Sequence, residues 1–396
     1  MISVEEATAR IVAAFLPTNS ETVSIGEAAS RVLAADAVAK LDQPPAPVSA
    51  MDGYAVRTND VANVPTVLRI IGSSPAGHPF AGSARSGEAV RIFTGGVVPE
   101  GADAIVIQED TESDGANVTI KAAAKAGQHI RAKGLDFRSG MVLAEAGHRL
   151  HARSVSLLAS GDIATVSVRR KPIIAFAATG DELSRPGQPR KPGGIVASSG
   201  YALTAMVADW GGMPHDLGIL PDTEEAIANI AASAKGADLI VTIGGASVGD
   251  HDLIQKALGP KGFALDFWKI AMRPGKPLIF GRLGTTPLLG LPGNPVSSLV
   301  CAMLFLRPAI AALLGTGTGR PLHSAKLISP LAGNGSRQDY LRACTEIRDG
   351  ELWVEAFTVQ DSAMLRSLAQ ADALIVRAPQ AAAAQTGDRV TILPLV

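Results

Sequence analysis

The stretch LIVTIGGASVGDHD, residues 239–252, decides the fold class of this chain. Its first five residues are aliphatic or β-branched and predict a buried strand. The paired glycines predict a loop at the carboxyl end of that strand, where open parallel sheets bind ligands and glycines let N–H groups approach an anion. Asp250 and Asp252 supply oxygen ligands of the kind that Mg²⁺ prefers. The stretch favours a phosphate cradle beside a magnesium site; a glycine-rich turn with solvated acids is the ordinary alternative.

Length, charge and cysteine content limit the class of protein. The 396 residues predict about two to four domains of roughly 100–200 residues. A net charge of −1 provides no bulk basic field for nucleic acid or an anionic membrane, so phosphate binding must be local. Cys301 and Cys344 have neither metal-ligand nor disulfide spacing, which favours a cytoplasmic setting. The N-terminus lacks the apolar core of a signal peptide, and Arg307-Pro308 interrupts the apolar segment 299–314, so we expect no membrane span.

Changes in residue pattern divide the chain into four predicted domains. Helical spacing of apolar residues and a capping box at Ser3 and Glu6 predict a helix at the start of the chain. The prolines within 44–47 end regular structure there. Residues 41–137 carry short β-type runs between glycines and predict an inserted β domain. Residues 138–169 resemble the N-terminus in character, so 1–40 and 138–169 are predicted to form one discontinuous helical linker domain.

The second half of the chain predicts two further domains. Strands and helices alternate over 170–316, which predicts an α/β domain with a parallel sheet covered on both faces. The glycine-threonine run 315–319 is typical of a linker. Residues 320–396 return to β-type runs and predict a small C-terminal β barrel. The expected fold class is multidomain, α/β plus β.

Three more loops of the α/β domain carry groups suited to phosphate or metal ions. TGDEL at 179–183 places carboxylates at a strand end, and RPGKP at 273–277 places two cations on a stiff loop. PGNPVSS at 292–298 precedes an apolar helix, whose first N–H groups attract anions. Each loop alone has an ordinary interpretation as a solvated or strand-to-helix turn. Together with 244–252, they favour a single site.

The predicted β insert adds three motifs of a different kind. SAMDGYA at 49–55, FTGG at 93–96 and GLDFRSG at 134–140 each place an acid or hydroxyl beside glycine. A turn aspartate usually caps its own backbone, so the chemistry of these residues alone predicts structural roles.

In their order along the chain, these motifs resemble those of the molybdopterin molybdenumtransferases and of the enzymatic C-terminal domain of gephyrin. The resemblance covers nearly the whole chain and implies an elongated homodimer, in which the β insert of one subunit and the α/β domain of the other share a cleft. It implies adenylylated molybdopterin and molybdate as substrates. Mg²⁺-dependent hydrolysis of the adenylate would accompany metal insertion and release AMP and molybdenum cofactor. The adenylyltransferase of the preceding step is a further expected partner.

Motif chemistry and the resemblance together give a candidate site. The expected catalytic residues are Asp52, Thr94, Asp136, Glu182 and Asp252, and the expected metal ligands are Asp252, Asp250 and Glu182. Substrate and phosphate contacts are expected from Gly244, Gly245, Ser247, Gly249, Arg273, Lys276, Pro292, Asn294, Pro295, Arg337 and Ser362. The chain departs from the family pattern at Ala246, Asp361 and Asp372, which puts the role of the C-terminal barrel in question.

Two other classes of function stay open at this point. A nucleotide pyrophosphatase or amidase on the same α/β module would explain the phosphate and metal loops, but not 49–55 or the C-terminal barrel. A gephyrin-like binding scaffold would not need Asp252 or Lys276. A dinucleotide-dependent dehydrogenase is disfavoured, because no G-x-G-x-x-G motif opens the first strand-to-helix turn.

Overall fold

The computed structural model describes residues 1–244, 250–319 and 321–395, with residues 250–253 described by their backbone alone. The chain forms two compact units. The first comprises Met1–Glu21, Ser30–Ala34 and Arg169–Val396, and the second comprises Thr22–Ala29 and Ala35–Val168. The finer division into four domains, with 1–40 and 138–169 together, stays a prediction.

A six-stranded sheet forms the centre of the first unit. Its strands lie in the order Met213–Leu220, Ile173–Thr179, Leu239–Ile243, Thr286–Leu291, Ile279–Leu283 and Phe263–Trp268. The first four strands are parallel, which confirms the predicted α/β domain. The last two strands pair antiparallel with their neighbours. A tight hairpin from Leu283 to Thr286, whose Gly284 has a φ of 60°, sets the direction of Ile279–Leu283.

Helices cover both faces of this sheet, because alternate strand residues point to opposite sides. Phe176 and Val241 pack with one helical layer, whereas Ala175 and Ile240 pack with the other. The first layer contains the helices Val4–Ala13, Ser199–Asp209, Pro295–Cys301 and Arg307–Leu314. The second contains Glu224–Ala228, Ile230–Ser233 and Asp250–Leu258. As predicted, Ser3 caps the N-terminal helix, and its hydroxyl accepts the Glu6 N–H at 3.0 Å.

The apolar helix after the PGNP turn does not end at Arg307-Pro308. Pro295–Cys301 continues through a π-helical turn, Ala302–Leu306, into Arg307–Leu314. The altered hydrogen-bond spacing of the π turn lies where the missing N–H of Pro308 would otherwise interrupt the helix. By length and composition alone this helix could cross a membrane, yet 72% of its most apolar window is buried inside the protein. Such burial is typical of a core helix.

The C-terminal strands close into a small β barrel, as predicted. Gln338–Arg348 pairs with both Glu351–Ala356 and Ala373–Arg377, and His323–Leu327 and Arg389–Pro394 complete the ring. The short strand Met272–Arg273 of the α/β domain pairs in parallel with Gln338–Arg348. This pairing brings the RPGKP loop to the barrel. The barrel region also contains the helix Leu365–Ala369.

The second unit has a six-stranded sheet of its own, which confirms the inserted β domain. The strand order is Ala104–Ile107, Gly53–Val56, Glu88–Ile92, Thr66–Ser74, Asn117–Ile120 and Thr111–Ser113. A Cβ at Gly53 would lie 2.0 Å from the Val106 carbonyl oxygen, so only glycine fits this strand. The unit also contains the helix Ala152–Ser160 and the short strand pairs Ala37–Val38 with Val142–Ala144 and Val48–Ser49 with Ile130–Arg131.

Candidate functional site

A cavity of about 840 Å³ lies in the first unit, at the carboxyl ends of its parallel strands. Thr179, Gly244 and Pro292 follow or end three neighbouring strands and line its floor. The chain leaves the strand Ile173–Thr179 in one direction along the sheet and returns to Leu239–Ile243 on the other side. Such a point of reversal is where α/β sheets bind their ligands. The cavity therefore lies where the opening stretch of sequence predicts it.

Three cations line this cavity without direct ion-pair partners among the described residues, although the carboxylates Glu182, Asp222 and Asp361 line it as well. Arg273, Lys276 and Arg337 make no side-chain hydrogen bond and no ion pair with the residues that the structure describes. Arg273 and Lys276 are exposed and belong to the RPGKP loop, and Arg337 precedes the first long strand of the barrel. Free guanidinium and ammonium groups in a concave site favour an anionic ligand.

The buried Cys301 packs against the loop 273–277, which carries the cations Arg273 and Lys276. The Cys301 S–H donates to the Gly275 carbonyl oxygen at 3.7 Å. Gly275 has a φ of 105°, and a Cβ there would lie 2.4 Å from Cys301 Sγ. Burial raises the pKa of the Cys301 thiol far above its usual range. This cysteine therefore packs the loop and does not act as a nucleophile at neutral pH.

The start of the helix Pro295–Cys301 is partly occupied by the C-terminal barrel. The Asn294 Nδ2 donates to Ser362 Oγ at 3.0 Å, and the Val296 N–H donates to the Ser362 carbonyl oxygen at 3.1 Å. Pro295 has no N–H. The anion contact expected at this helix start therefore cannot use the nitrogen of Pro295 or Val296 and is limited to the N–H groups of later residues. Ser362 helps to form the cavity wall as a partner of Asn294.

Gly244 lines the cavity, although its own N–H is not free. That N–H donates to the Leu291 carbonyl oxygen at 3.0 Å, and the φ of Gly244 is 92°. A Cβ at this position would lie 2.8 Å from the Thr179 carbonyl oxygen. Gly244 therefore allows close approach of neighbouring strand ends. Gly245, Ser247 and Gly249 lie outside the described residues.

The described carboxylates do not by themselves form a metal site. Glu182 lines the cavity, is exposed, and has no side-chain partner among the described residues. Within the part of the chain that the structure describes, no group of three His, Cys, Asp or Glu side chains is placed to hold a metal ion. Asp250 and Asp252 lie in the first turn of the helix Asp250–Leu258, where the structure describes the backbone alone. Glu182 has the donor chemistry for Mg²⁺, and a complete site needs further ligands.

Asp52, Thr94 and Asp136 lie in the second unit. The Thr94 N–H and Oγ1 donate to Asp52 Oδ1 at 2.7 and 2.8 Å. These hydrogen bonds hold the pKa of the Asp52 carboxyl below its usual range, so Asp52 is ionised at neutral pH. Asp136 is exposed on a turn, and its N–H donates to the Gln43 carbonyl oxygen at 2.9 Å. The structure thus brings Asp52 and Thr94 together.

The cavity wall includes residues that sequence reasoning missed. Ile195 and Val196 form a short strand paired with Leu183–Ser184, and Ser198 and Ser199 begin the next helix. Gln360 also lines the cavity, and its side chain bonds to the backbone of Arg342. The Ser-Ser-Gly sequence before an apolar helix is a helix-start signal that could have placed Ser198 and Ser199 at a strand-adjacent edge. No comparable signal marks Gln360.

Comparisons with known proteins agree with this architecture. The family described as "MoeA N-terminal region (domain I and II)" matches residues 2–161. "Probable molybdopterin binding domain" matches residues 175–312, and "MoeA C-terminal region (domain IV)" matches residues 324–395.

Individual relatives match nearly the whole length of this chain. A molybdopterin molybdenumtransferase of Haemophilus influenzae is 37% identical, over 96% of this chain and 94% of that protein. One from Nostoc is 36% identical, over 95% and 89%. The solved structure of a molybdopterin biosynthesis MoeA protein from Pyrococcus horikoshii superimposes with a TM-score of 0.85 at 29% identity, covering 100% and 99% of the two chains. The chain belongs to the molybdopterin molybdenumtransferase family, a family of enzymes in molybdenum cofactor synthesis, which confirms the resemblance drawn from its motifs.

Proposed function

We propose that this chain inserts molybdenum from molybdate into adenylylated molybdopterin, with Mg²⁺-dependent hydrolysis of the adenylate. The products are molybdenum cofactor and AMP. The observation that carries the proposal is the set of unpaired cations, Arg273, Lys276 and Arg337, in one cavity at the strand ends. Both proposed substrates are anions, and hydrolysis of the adenylate develops further negative charge on phosphoryl oxygens.

In this mechanism Lys276 and Arg273 hold phosphate oxygens of the adenylate. Lysine acts as a point charge, whereas the arginine fork can bond two oxygens together. Water adds to a phosphorus of the phosphoric anhydride, the anhydride bond breaks, and AMP leaves. Cations already in place stabilise the charge of this transition state without having to reorganise.

Mg²⁺ is the proposed cofactor and would neutralise phosphoryl charge when bound. Asp252 is the proposed principal ligand, with Asp250 and Glu182 as further ligands. The free, exposed carboxylate of Glu182 supports its part in this set. Carboxylate oxygens are the ligands expected for Mg²⁺ at a phosphoryl-transfer site.

Asp52, Thr94 and Asp136 would complete the site from the other subunit of a homodimer. Asp52 is ionised, and its lowered pKa makes it a weak proton acceptor. Its role is therefore to orient water or to attract a cation, with Thr94 holding its carboxylate in position. The homodimer, the contact with the preceding adenylyltransferase and the cytoplasmic location stay predictions.

The test is AMP release by the purified chain from adenylylated molybdopterin, in the presence of molybdate and Mg²⁺. Lys276→Ala should slow release, whereas Lys261→Ala, which removes an exposed lysine of the same α/β domain outside the cavity, should not. Full activity in Lys276→Ala would reject the proposed site. Binding of the substrate without AMP release under any of these conditions would instead favour the scaffold alternative.

A further inference from the structure

The six-stranded sheet of the second unit carries an arginine that has no acidic partner and that the proposed mechanism does not use. Arg91 is half-buried in the strand Glu88–Ile92, directly opposite Tyr54 of the neighbouring strand. Among the described residues, no carboxylate oxygen lies within 4.0 Å of its guanidinium nitrogens. Arg91 is therefore not held by an ion pair, and its contacts need a different explanation.

The Arg91 guanidinium bonds to two chain segments that adjoin Asp52. Its Nη1 donates to the carbonyl oxygen of Gly53, the residue after Asp52, at 3.0 Å. Its Nη2 donates to Gln108 Oε1 at 2.8 Å, and the Gln108 N–H donates to the Asp52 carbonyl oxygen at 3.0 Å. Arg91 thus links two strands at the point where the backbone of Asp52 lies between them.

Two aromatic rings limit the orientation of the same guanidinium. The Arg91 Cζ lies 5.1 Å from the centroid of the Tyr54 ring and 4.8 Å from that of the Phe93 ring. Guanidinium groups are attracted to aromatic rings at such distances. Phe93 directly precedes Thr94, whose N–H and Oγ1 hold the Asp52 carboxylate. Arg91 therefore contacts the chain beside both members of the Asp52–Thr94 pair.

The contacts of Arg91 orient its charge without neutralising it. A carbonyl oxygen, an amide oxygen and two aromatic rings are all uncharged partners. The hydrogen bonds from Thr94 lower the pKa of the Asp52 carboxyl most, and the positive charge of Arg91 adds to this lowering. Both Thr94 bonds end on Asp52 Oδ1, so Oδ2 accepts no hydrogen bond from the residues that the structure describes.

We propose that Arg91 is a positioning residue, which holds Asp52 and Thr94 in one fixed arrangement and leaves Asp52 Oδ2 available for water or a cation. An arginine suits this role better than a lysine, because its planar fork reaches two acceptors while it also contacts two rings. The inference rests on the proposed function in one respect, which is the use of Asp52 in the reaction.

The first experiment measures AMP release by the full chain with Arg91→Lys, which keeps the charge and loses the fork. The kcat should fall roughly tenfold to a hundredfold, because small displacements of a catalytic group have effects of this size. The KM should stay close to that of the unmodified chain, because the lost contacts are not contacts with substrate. Arg69→Met is the matched control with unchanged kcat, since Arg69 is an exposed arginine of the same sheet that pairs with Glu88 at 2.6 Å. A raised KM with unchanged kcat would overturn the inference.

The second experiment tests whether Arg91 acts through its hydrogen bonds. Gln108→Ala removes the acceptor of Arg91 Nη2, and Gln108 is exposed, so the fold should tolerate the change. This variant should lower kcat in the same direction as Arg91→Lys, and the double variant should lose less than the two single losses combined. Independent, fully additive effects of the two substitutions would overturn the proposed coupling.

The third experiment needs no activity and so separates this inference from the proposed function. In Arg91→Met and Arg91→Lys, hydrogen exchange at the Thr94 N–H should be faster, and an NMR titration should find a higher pKa for Asp52 in Arg91→Met than in Arg91→Lys. Unchanged exchange and titration in the folded variants would overturn the inference, even if the unmodified chain released no AMP. Conversely, impaired AMP release by Lys276→Ala beside full activity of Arg91→Lys would overturn this inference and leave the proposed function standing.

Discussion

Gly275→Ala should destabilise the first unit and impair its cavity at the same time. The φ of Gly275 is 105°, and a conformation on the left-handed side costs an L-residue about 1–2 kcal/mol. The new Cβ would lie 2.4 Å from Sγ of the buried Cys301 and 3.2 Å from Cε of Met272. Overpacking of this kind costs roughly 1–3 kcal/mol. The expected loss of unfolding free energy is therefore about 2–5 kcal/mol.

Denaturant unfolding followed by tryptophan fluorescence measures this loss, since Trp210, Trp268 and Trp353 all belong to the first unit. Gly262→Ala is the matched control: its φ is 87°, and the nearest atom to its Cβ would be 4.0 Å away. Cys301→Ala should relieve part of the clash, so the double variant should be less destabilised than the sum of the single variants. Equal destabilisation by Gly275→Ala and Gly262→Ala would refute the close packing of Gly275 against Cys301.

Three further predictions concern the proposed catalytic residues. Thr94→Val removes one of the hydrogen bonds that lower the pKa of the Asp52 carboxyl, so an NMR titration should find a higher pKa in the variant. Because this pKa is lowered in the folded chain, the associated stability is present above the usual pKa of aspartate and is lost as the pH falls through the lowered value; an unchanged titration would contradict the assignment. Asp252→Ala should abolish AMP release while circular dichroism stays unchanged, and near-normal turnover at saturating Mg²⁺ would remove Asp252 from the mechanism. Mixing inactive Asp52→Ala and Asp252→Ala chains should restore part of the activity if a C₂ dimer shares its sites; subunit-exchanging mixtures that stay inactive would reject the shared cleft.

Local sequence patterns predict the fold well where the pattern itself has a physical cause. The aliphatic run 239–243 becomes a fully buried central strand, because parallel strands covered on both faces must be apolar throughout. The return to β-type runs after residue 320 predicts the barrel for a different reason: its strands alternate exposed and buried residues, as in Arg389–Pro394, because only one face of a barrel wall lies against the core. The direction of the strand Ile279–Leu283 is harder to predict, because it depends on the hairpin at Gly284 rather than on the strand's own residues.

The candidate site is predictable in its loops but not in its long-range contacts. Arg273, Lys276 and Pro292 come together because each loop follows or precedes a strand of one sheet. The occupation of the Val296 N–H by Ser362 depends on how the C-terminal barrel packs on a helix start, which no local pattern encodes. Strand register likewise determines that Asp339 lies opposite Arg273 in one strand pair and opposite Arg377 in the other.

The measurement that tests the central claim most directly is the affinity of adenylylated molybdopterin for the full chain, by calorimetric titration. Lys276→Ala should bind roughly tenfold to a hundredfold more weakly than the unmodified chain, with a smaller dependence on salt, because one charge-assisted hydrogen bond is lost. The control Lys261→Ala should bind as the unmodified chain does. Equal affinity and equal salt dependence in all three chains would contradict the claim that the unpaired cations of this cavity hold the substrate's phosphates.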